Sequence, residues 1–261
     1  MSMEALTMIG LGLQTAMLAV LIVLAARFMT RIAFSPLVAF FVIGMVSFLL
    51  SDLYWMAFTL LESDARMPFA VNEIGECACI LLLATAMRSQ LSNEQNYSLK
   101  DILLPSLFTL CNVALWVAWS GEWAQDILSG LALGYYLVIA LRLLKREAGF
   151  SYPEGLVLRA AAVLIVILQA LTFVVEVPGQ RILEAVCTGL MAFSILLFFI
   201  KSIIALRRNC SASLSLSFGG FGWILICLYM SAGLPYLIVA FCVTLIFPLM
   251  YLAVKGRVMA A

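Results

Sequence analysis

Acidic and amide side chains interrupt the apolar stretches of this sequence, where ionisable groups are rare. Asp52 lies within one such stretch, and Asn72, Glu73 and Glu76 lie within the next. A carboxylate at the centre of a membrane helix costs about 2.5–3.5 kcal/mol on insertion scales, so it faces the bundle interior, a partner or a water-filled cavity. These positions are therefore the candidates for cation binding or proton transfer.

Helical spacing places Asn72, Glu73 and Glu76 on one side of their helix, because residues three and four apart are neighbours. Asp52 is predicted near the membrane midplane. The competing interpretation is a structural hydrogen-bond clamp between the second and third helices. Including similar polar groups on other helices, the predicted ligand-binding residues are Asp52, Asn72, Glu73, Glu76, Asn112, Gln169 and Glu184.

The elements that must position these residues are membrane-spanning helices. The chain has 261 residues, of which 65% are hydrophobic and 11% are charged, compared with about 45–50% apolar and about 25% charged in soluble domains. We therefore predict an all-α fold, a polytopic transmembrane helical bundle that forms one integral membrane domain over residues 1–261. Apolar stretches predict about nine helices, at 5–26, 34–61, 69–87, 102–119, 127–144, 156–175, 182–206, 214–230 and 234–254.

The eighth stretch is the weakest, because its strongly apolar part, 218–230, is short enough to be re-entrant. A single helix over 218–254 would be about 55 Å long, which exceeds the bilayer core of about 30 Å. Gly233 and Pro235 therefore predict a turn that makes the last two helices a hairpin. Small residues predict close helix packing, at Gly130 and Gly134 in helix five and in the series Gly44, Ser47 and Ser51 in helix two.

Basic residues predict the orientation, because Lys and Arg concentrate in cytoplasmic loops. With nine spans, 13 of the 15 basic residues fall on one side, and only Arg66 and Arg181 fall on the other. The N-terminus is then outside and the C-terminus is cytoplasmic, in the cell membrane. No basic residue precedes Arg27, so we expect the first helix to be retained and not cleaved as a signal.

Several classes of chemistry are excluded or disfavoured by composition. The chain contains no histidine, which excludes bis-histidine haem, histidine-ligated zinc and Ser-His-Asp catalysis within it. It has no phosphate-binding glycine motif of the nucleotide-binding types. Cys77 and Cys79 point nearly opposite ways on a helix, so they do not predict a metal pair. We predict no cofactor, no metal, no catalytic residue and no nucleic-acid partner.

Three functional classes remain. The first is a channel or secondary carrier for a cation, a proton or a cationic small solute, which fits the buried carboxylates of helices two and three best. The second is a membrane-embedded ligand sensor or an accessory subunit, which would work with a cytoplasmic or membrane partner protein. The third is an intramembrane enzyme acting on lipid, for which the sequence offers no nucleophile. The lipid bilayer and a small cationic ligand are the expected partners of the first class.

Overall fold

The fold is entirely helical over the part of the chain that the structure describes. The computed structural model describes residues 3–32, 34–61, 71–91, 99–120, 123–147, 150–172, 174–176, 178–208, 211–230 and 234–260. Within these ranges there is no strand, and there are nine helices: α1 (Met3–Arg31), α2 (Pro36–Leu61), α3 (Val71–Arg88), α4 (Leu99–Ser120), α5 (Trp123–Arg146), α6 (Tyr152–Thr172), α7 (Gly179–Arg207), α8 (Ala212–Tyr229) and α9 (Leu234–Met259).

Among the described helices, α1, α2 and α5 to α9 are long and apolar enough to cross a membrane, which makes seven. The chain is therefore a multi-pass membrane protein of the helical type. The helix α3 carries three charged residues, Glu73, Glu76 and Arg88, within its 18 residues, and the apolar part of α4 that could contribute to a span is Pro105–Ala118. The predicted count of nine spans and the orientation of the termini therefore stay predictions.

The helix α8 explains why the eighth stretch has the weakest signal. It runs over 18 residues, which gives about 27 Å at 1.5 Å per residue, close to the thickness of a bilayer core. Residues 212–222 are all buried, and α8 contacts α3, α5, α7 and α9. A helix surrounded by protein can contain serines and glycines that a lipid-facing helix would not. The predicted break is confirmed, since α8 ends at Tyr229 and α9 begins at Leu234; residues 231–233 of the predicted turn lie outside the described residues.

The predicted small-residue contacts are confirmed at two helix pairs. A Cβ added to Gly75 of α3 would lie 2.9 Å from the Cβ of Ser51 and 3.0 Å from the carbonyl oxygen of Ser47, both on α2. A Cβ added to Gly134 of α5 would similarly lie 3.1 Å from the Cγ2 of Thr109 on α4. Close backbone approach therefore fixes α3 against α2 and α5 against α4, and it explains how two helices joined by a short connection pack as a pair.

Aromatic side chains fill the centre of the bundle between α2, α5, α8 and α9. The Phe48 ring lies 5.5 Å from Phe247, and Phe247 lies 5.3 Å from Phe221, measured between centroids. The Tyr136 hydroxyl donates a hydrogen bond to the Phe218 carbonyl at 2.7 Å. This aromatic core links the helices that surround α8.

A group of polar residues, here called the Arg257 cluster, joins the C-terminal ends of α3, α5 and α9. It consists of Gln90, Arg146, Glu147 and Arg257. The Arg257 guanidinium lies 3.4 Å from a carboxylate oxygen of Glu147 and 3.4 Å from the amide oxygen of Gln90. Arg146 lies 3.9 Å from the same Glu147 oxygen and donates to the Gln90 carbonyl. The Glu147 carboxylate is therefore shared by the guanidinium groups of Arg257 and Arg146.

Candidate functional site

Asp52 lies on the inner face of α2 and is 5% exposed. The amide nitrogen of Gln14, on α1, donates to both carboxylate oxygens of Asp52, at 3.1 and 2.9 Å. This contact is possible because α1 packs along α2. A neutral amide satisfies hydrogen bonds of the carboxylate but does not neutralise its charge.

Gln14 also connects Asp52 to α9. Its amide oxygen lies 3.5 Å from the Thr244 hydroxyl, which is long for a hydrogen bond from a hydroxyl donor. One side chain therefore lies between α1, α2 and α9. Neither Gln14 nor Thr244 was among the residues predicted from the sequence. The signal for Gln14 was present, because it is an amide within an apolar helix and falls under the same rule that singled out Asp52.

Glu76 and Asp52 line one cavity, here called the Asp52 cavity, with a volume of about 240 Å³. Glu76 is partly buried, and its carboxylate faces this cavity together with that of Asp52. No lysine or arginine is among the described side chains that line the cavity. The lining residues are Thr7, Gly10, Leu11, Gln14, Phe48, Asp52, Trp55, Glu76, Leu228, Leu237, Ala240, Phe241 and Val243.

Glu73 lies one turn from Glu76 but faces α5. Its carboxylate accepts a hydrogen bond from the Gln125 amide at 3.1 Å. Asp52 and Glu73 are both close enough to Glu76 to act on it electrostatically. Three acidic groups therefore lie around the junction of α2 and α3. The side chain of Asn72, predicted to share this face, lies outside the described side chains.

The remaining predicted site residues are placed away from the cavity. Asn112 is buried in α4, and its amide donates to the Phe108 carbonyl of the same helix at 2.8 Å. Gln169 of α6 faces α7, where its amide oxygen lies 3.7 Å from the Cys187 sulfur. Glu184 of α7 is exposed and accepts from Gln180 at 3.2 Å. Tertiary packing therefore separates these residues from Asp52 and Glu76, because α4 packs against α5, α6 packs against α7, and the Glu184 side chain is on the exposed surface of α7.

The arrangement can bind positive charge. Two carboxyl groups share a cavity whose described lining carries no basic side chain, so a cation bound there would pair with carboxylates that no basic residue of that lining neutralises when they are ionised. Within the described residues, no group of three or more His, Cys, Asp or Glu side chains is placed to hold a metal ion. No known protein family, curated protein or solved structure matches this chain.

Proposed function

We propose that this membrane protein is a channel or secondary carrier for a cation, a proton or a cationic small solute, with Asp52 and Glu76 as the binding groups. The observation that supports this function is the meeting of both carboxylates at one cavity without a basic side chain in its described lining. Leaving an ionised carboxylate without a partner in an apolar region is costly. A bound cation or proton would remove that cost, which is the physical basis of the proposal.

The proposed orientation places the Asp52 cavity in the outer half of the membrane. Thr7 near the start of α1 and Leu237 near the start of α9 line it, and both helices begin outside in the predicted topology. An electronegative mouth would concentrate cations before they bind. We place the protein in the cell membrane, with nine spans and a cytoplasmic C-terminus, on the distribution of basic residues.

Transport, and not binding alone, is favoured because α3 and α9 each contribute to the Asp52 cavity at one end of the bundle and to the Arg257 cluster at the other. The helix α3 contributes Glu76 to the cavity and is followed by Gln90 of the Arg257 cluster. The helix α9 contributes Phe241 to the cavity and Arg257 to the cluster. A movement of α3 and α9 that opened the Arg257 cluster would therefore also change the cavity. Such coupling is what alternating access around a fixed site requires.

Reconstitution into liposomes tests this function. Uptake of radiolabelled sodium and tetramethylammonium would be measured under an inside-negative potential, while an entrapped dye reports proton entry. We expect uptake or proton entry in the parent and at least tenfold less in Glu76→Gln, with Glu184→Gln as the matched control that keeps the parent rate. Saturable binding without any flux would instead favour the sensor or accessory-subunit interpretation.

Cation binding should weaken as the pH falls, because a carboxylate must be ionised to pair with a cation and protons compete for it. Titration of sodium or tetramethylammonium at several pH values would measure this, and Glu76→Gln should flatten the dependence. An unchanged pH profile in both Glu76→Gln and Asp52→Asn would exclude these carboxylates as the binding groups. Of the titratable or charged groups on α3 and the helices packed against it, only Asp52 and Glu76 line the cavity. The full set is Asp52 and Tyr54 on α2; Glu73, Glu76, Cys77, Cys79 and Arg88 on α3; Asp126, Tyr135, Tyr136, Arg142, Lys145 and Arg146 on α5; and Cys227 and Tyr229 on α8.

A further inference from the structure

We infer that the Asp52 cavity binds a small organic ammonium ion, with the ammonium group between Asp52 and Glu76 and an apolar part against the aromatic wall. This inference rests on the proposed function and narrows it to one class of cation. Three observations carry it: the composition of the walls, the volume of the cavity and the oxygen ligands available in it.

The walls of the cavity are divided by chemistry. The carboxylates of Asp52 and Glu76 supply negative charge, and Phe48, Trp55 and Phe241 supply aromatic surface. An ammonium ion within about 6 Å of an aromatic ring is attracted by the ring quadrupole, most strongly by that of Trp. The other apolar residues, such as Leu228 and Leu237, match a hydrocarbon group. A ligand with a charged end and an apolar body therefore uses both parts of the lining, whereas an inorganic ion uses one.

The volume of the cavity is smaller than that of pockets that bind drug-sized molecules and larger than a single ion needs. At about 240 Å³, the cavity has space equivalent to about eight water molecules at ~30 Å³ each. Pockets that bind drug-sized ligands have volumes of about 300–1,000 Å³. A bare metal ion would leave most of the apolar wall without a contact. A compact amine with one ring or a short alkyl chain fits both limits.

The oxygen ligands suit an ammonium group better than a hard metal ion. Both Asp52 oxygens already accept hydrogen bonds from Gln14, at 3.1 and 2.9 Å, and the Glu76 carboxylate is the second acidic group in the lining. Calcium requires six to eight oxygen ligands and magnesium requires an octahedral set. A primary ammonium group has three N–H donors, which two carboxylates and a water molecule would satisfy.

Phenethylamine, its uncharged analogue phenethyl alcohol, and sodium chloride test this inference on the full chain in lipid nanodiscs. Binding would be measured by isothermal titration calorimetry for the parent, Glu76→Gln and Trp55→Leu. We expect phenethylamine to bind the parent at least tenfold more tightly than the alcohol. Glu76→Gln should lose this preference, and Trp55→Leu should weaken amine binding about five- to thirtyfold.

Matched variants keep the test independent of folding. Phe193, on α7, is 54% exposed and lies outside the cavity lining, so Phe193→Leu should leave amine binding unchanged. Trp55→Phe keeps an aromatic face and should retain most of the affinity that Trp55→Leu loses. The inference would be overturned if the affinity for phenethylamine were the same in the parent, Trp55→Leu, Trp55→Phe and Phe193→Leu.

The two proposals fail in different ways. Sodium binding that Glu76→Gln abolishes, together with no phenethylamine binding, would overturn the organic-ammonium inference and leave the proposed function standing. Binding of the alcohol as tightly as the amine would also overturn it, because the charge would then contribute nothing. Absence of binding by sodium, tetramethylammonium and phenethylamine alike, together with no proton entry into liposomes and with the parent folded, would overturn both proposals.

Discussion

The Asp52 cavity and the Arg257 cluster differ in whether their buried carboxylates have a basic partner. Glu147 has an 8% exposed side chain, and the guanidinium groups of Arg257 and Arg146 lie 3.4 and 3.9 Å from its oxygen. Asp52 is as deeply buried, but its hydrogen-bond partner is the neutral amide of Gln14. One end of the bundle therefore neutralises its acid internally, and the other end leaves its acids without a basic partner in the cavity.

This difference separates stabilising charges from binding charges. A carboxylate paired with arginine holds helices together, and removing one partner is costly because the other charge stays buried. Carboxylates that lack a cationic partner contribute little to the stability of the fold. Natural proteins keep such unfavourably buried groups where function requires them. The cavity end is held instead by the close approach of Gly75 to α2. The contrast predicts the sign of the stability change at each end.

Glu147→Leu should have the largest effect on stability. It leaves Arg257 and Arg146 without their shared carboxylate, and we expect the free energy of unfolding to fall by about 2–3 kcal/mol. Denaturant titration in mixed micelles would measure the loss. Glu184→Leu, at an exposed position on α7, is the matched control with little expected change. Parental stability of Glu147→Leu would show that the Arg257 cluster does not hold α3, α5 and α9 together.

Gly75→Ala should destabilise the cavity end by about 1–2 kcal/mol, because overpacking a close contact forces the backbone to shift. The added Cβ would meet Ser51 at 2.9 Å and the Ser47 carbonyl at 3.0 Å. Gly189→Ala is the matched control, since no atom lies within 4 Å of its added Cβ. Thermal unfolding of both variants measures the difference. Equal midpoints for the two would contradict the packing account of the α2–α3 pair.

Glu76→Gln should have the smallest effect on stability and the opposite sign. It removes an acidic group whose ionised form Asp52 and Glu73 disfavour, keeps the shape of the side chain, and should raise the free energy of unfolding by about 0.5–1 kcal/mol at a pH where Glu76 is ionised. Denaturant titration without added cations would measure this gain. Adding the bound cation should stabilise the parent but not the variant. A clear destabilisation of Glu76→Gln would indicate a structural clamp between α2 and α3.

The α2–α3 region shows how far local sequence reasoning extends. The spacing of Glu73 and Glu76 predicted one polar face, but the two side chains divide between α5 and the cavity. A separation of three residues on a helix is about 300°, so neighbouring side chains still differ by some 60° in direction. That angle is enough to place them in different environments. Sequence periodicity therefore identified the polar face but not the partner of each residue.

Composition and the length of the apolar runs predict an all-helical chain that belongs in a membrane, because runs of about 20 apolar residues have no other stable environment. The sequence also identified the break before α9 and the unusual position of Asp52. Helix packing, which no local pattern predicted, brings Gln14 to Asp52 and surrounds α8 with protein. It also leaves three predicted site residues outside the cavity lining: Asn112, Gln169 and Glu184. These outcomes depend on which helices become neighbours. Each helix satisfies its backbone hydrogen bonds within itself, so its own sequence gives little information about its neighbours.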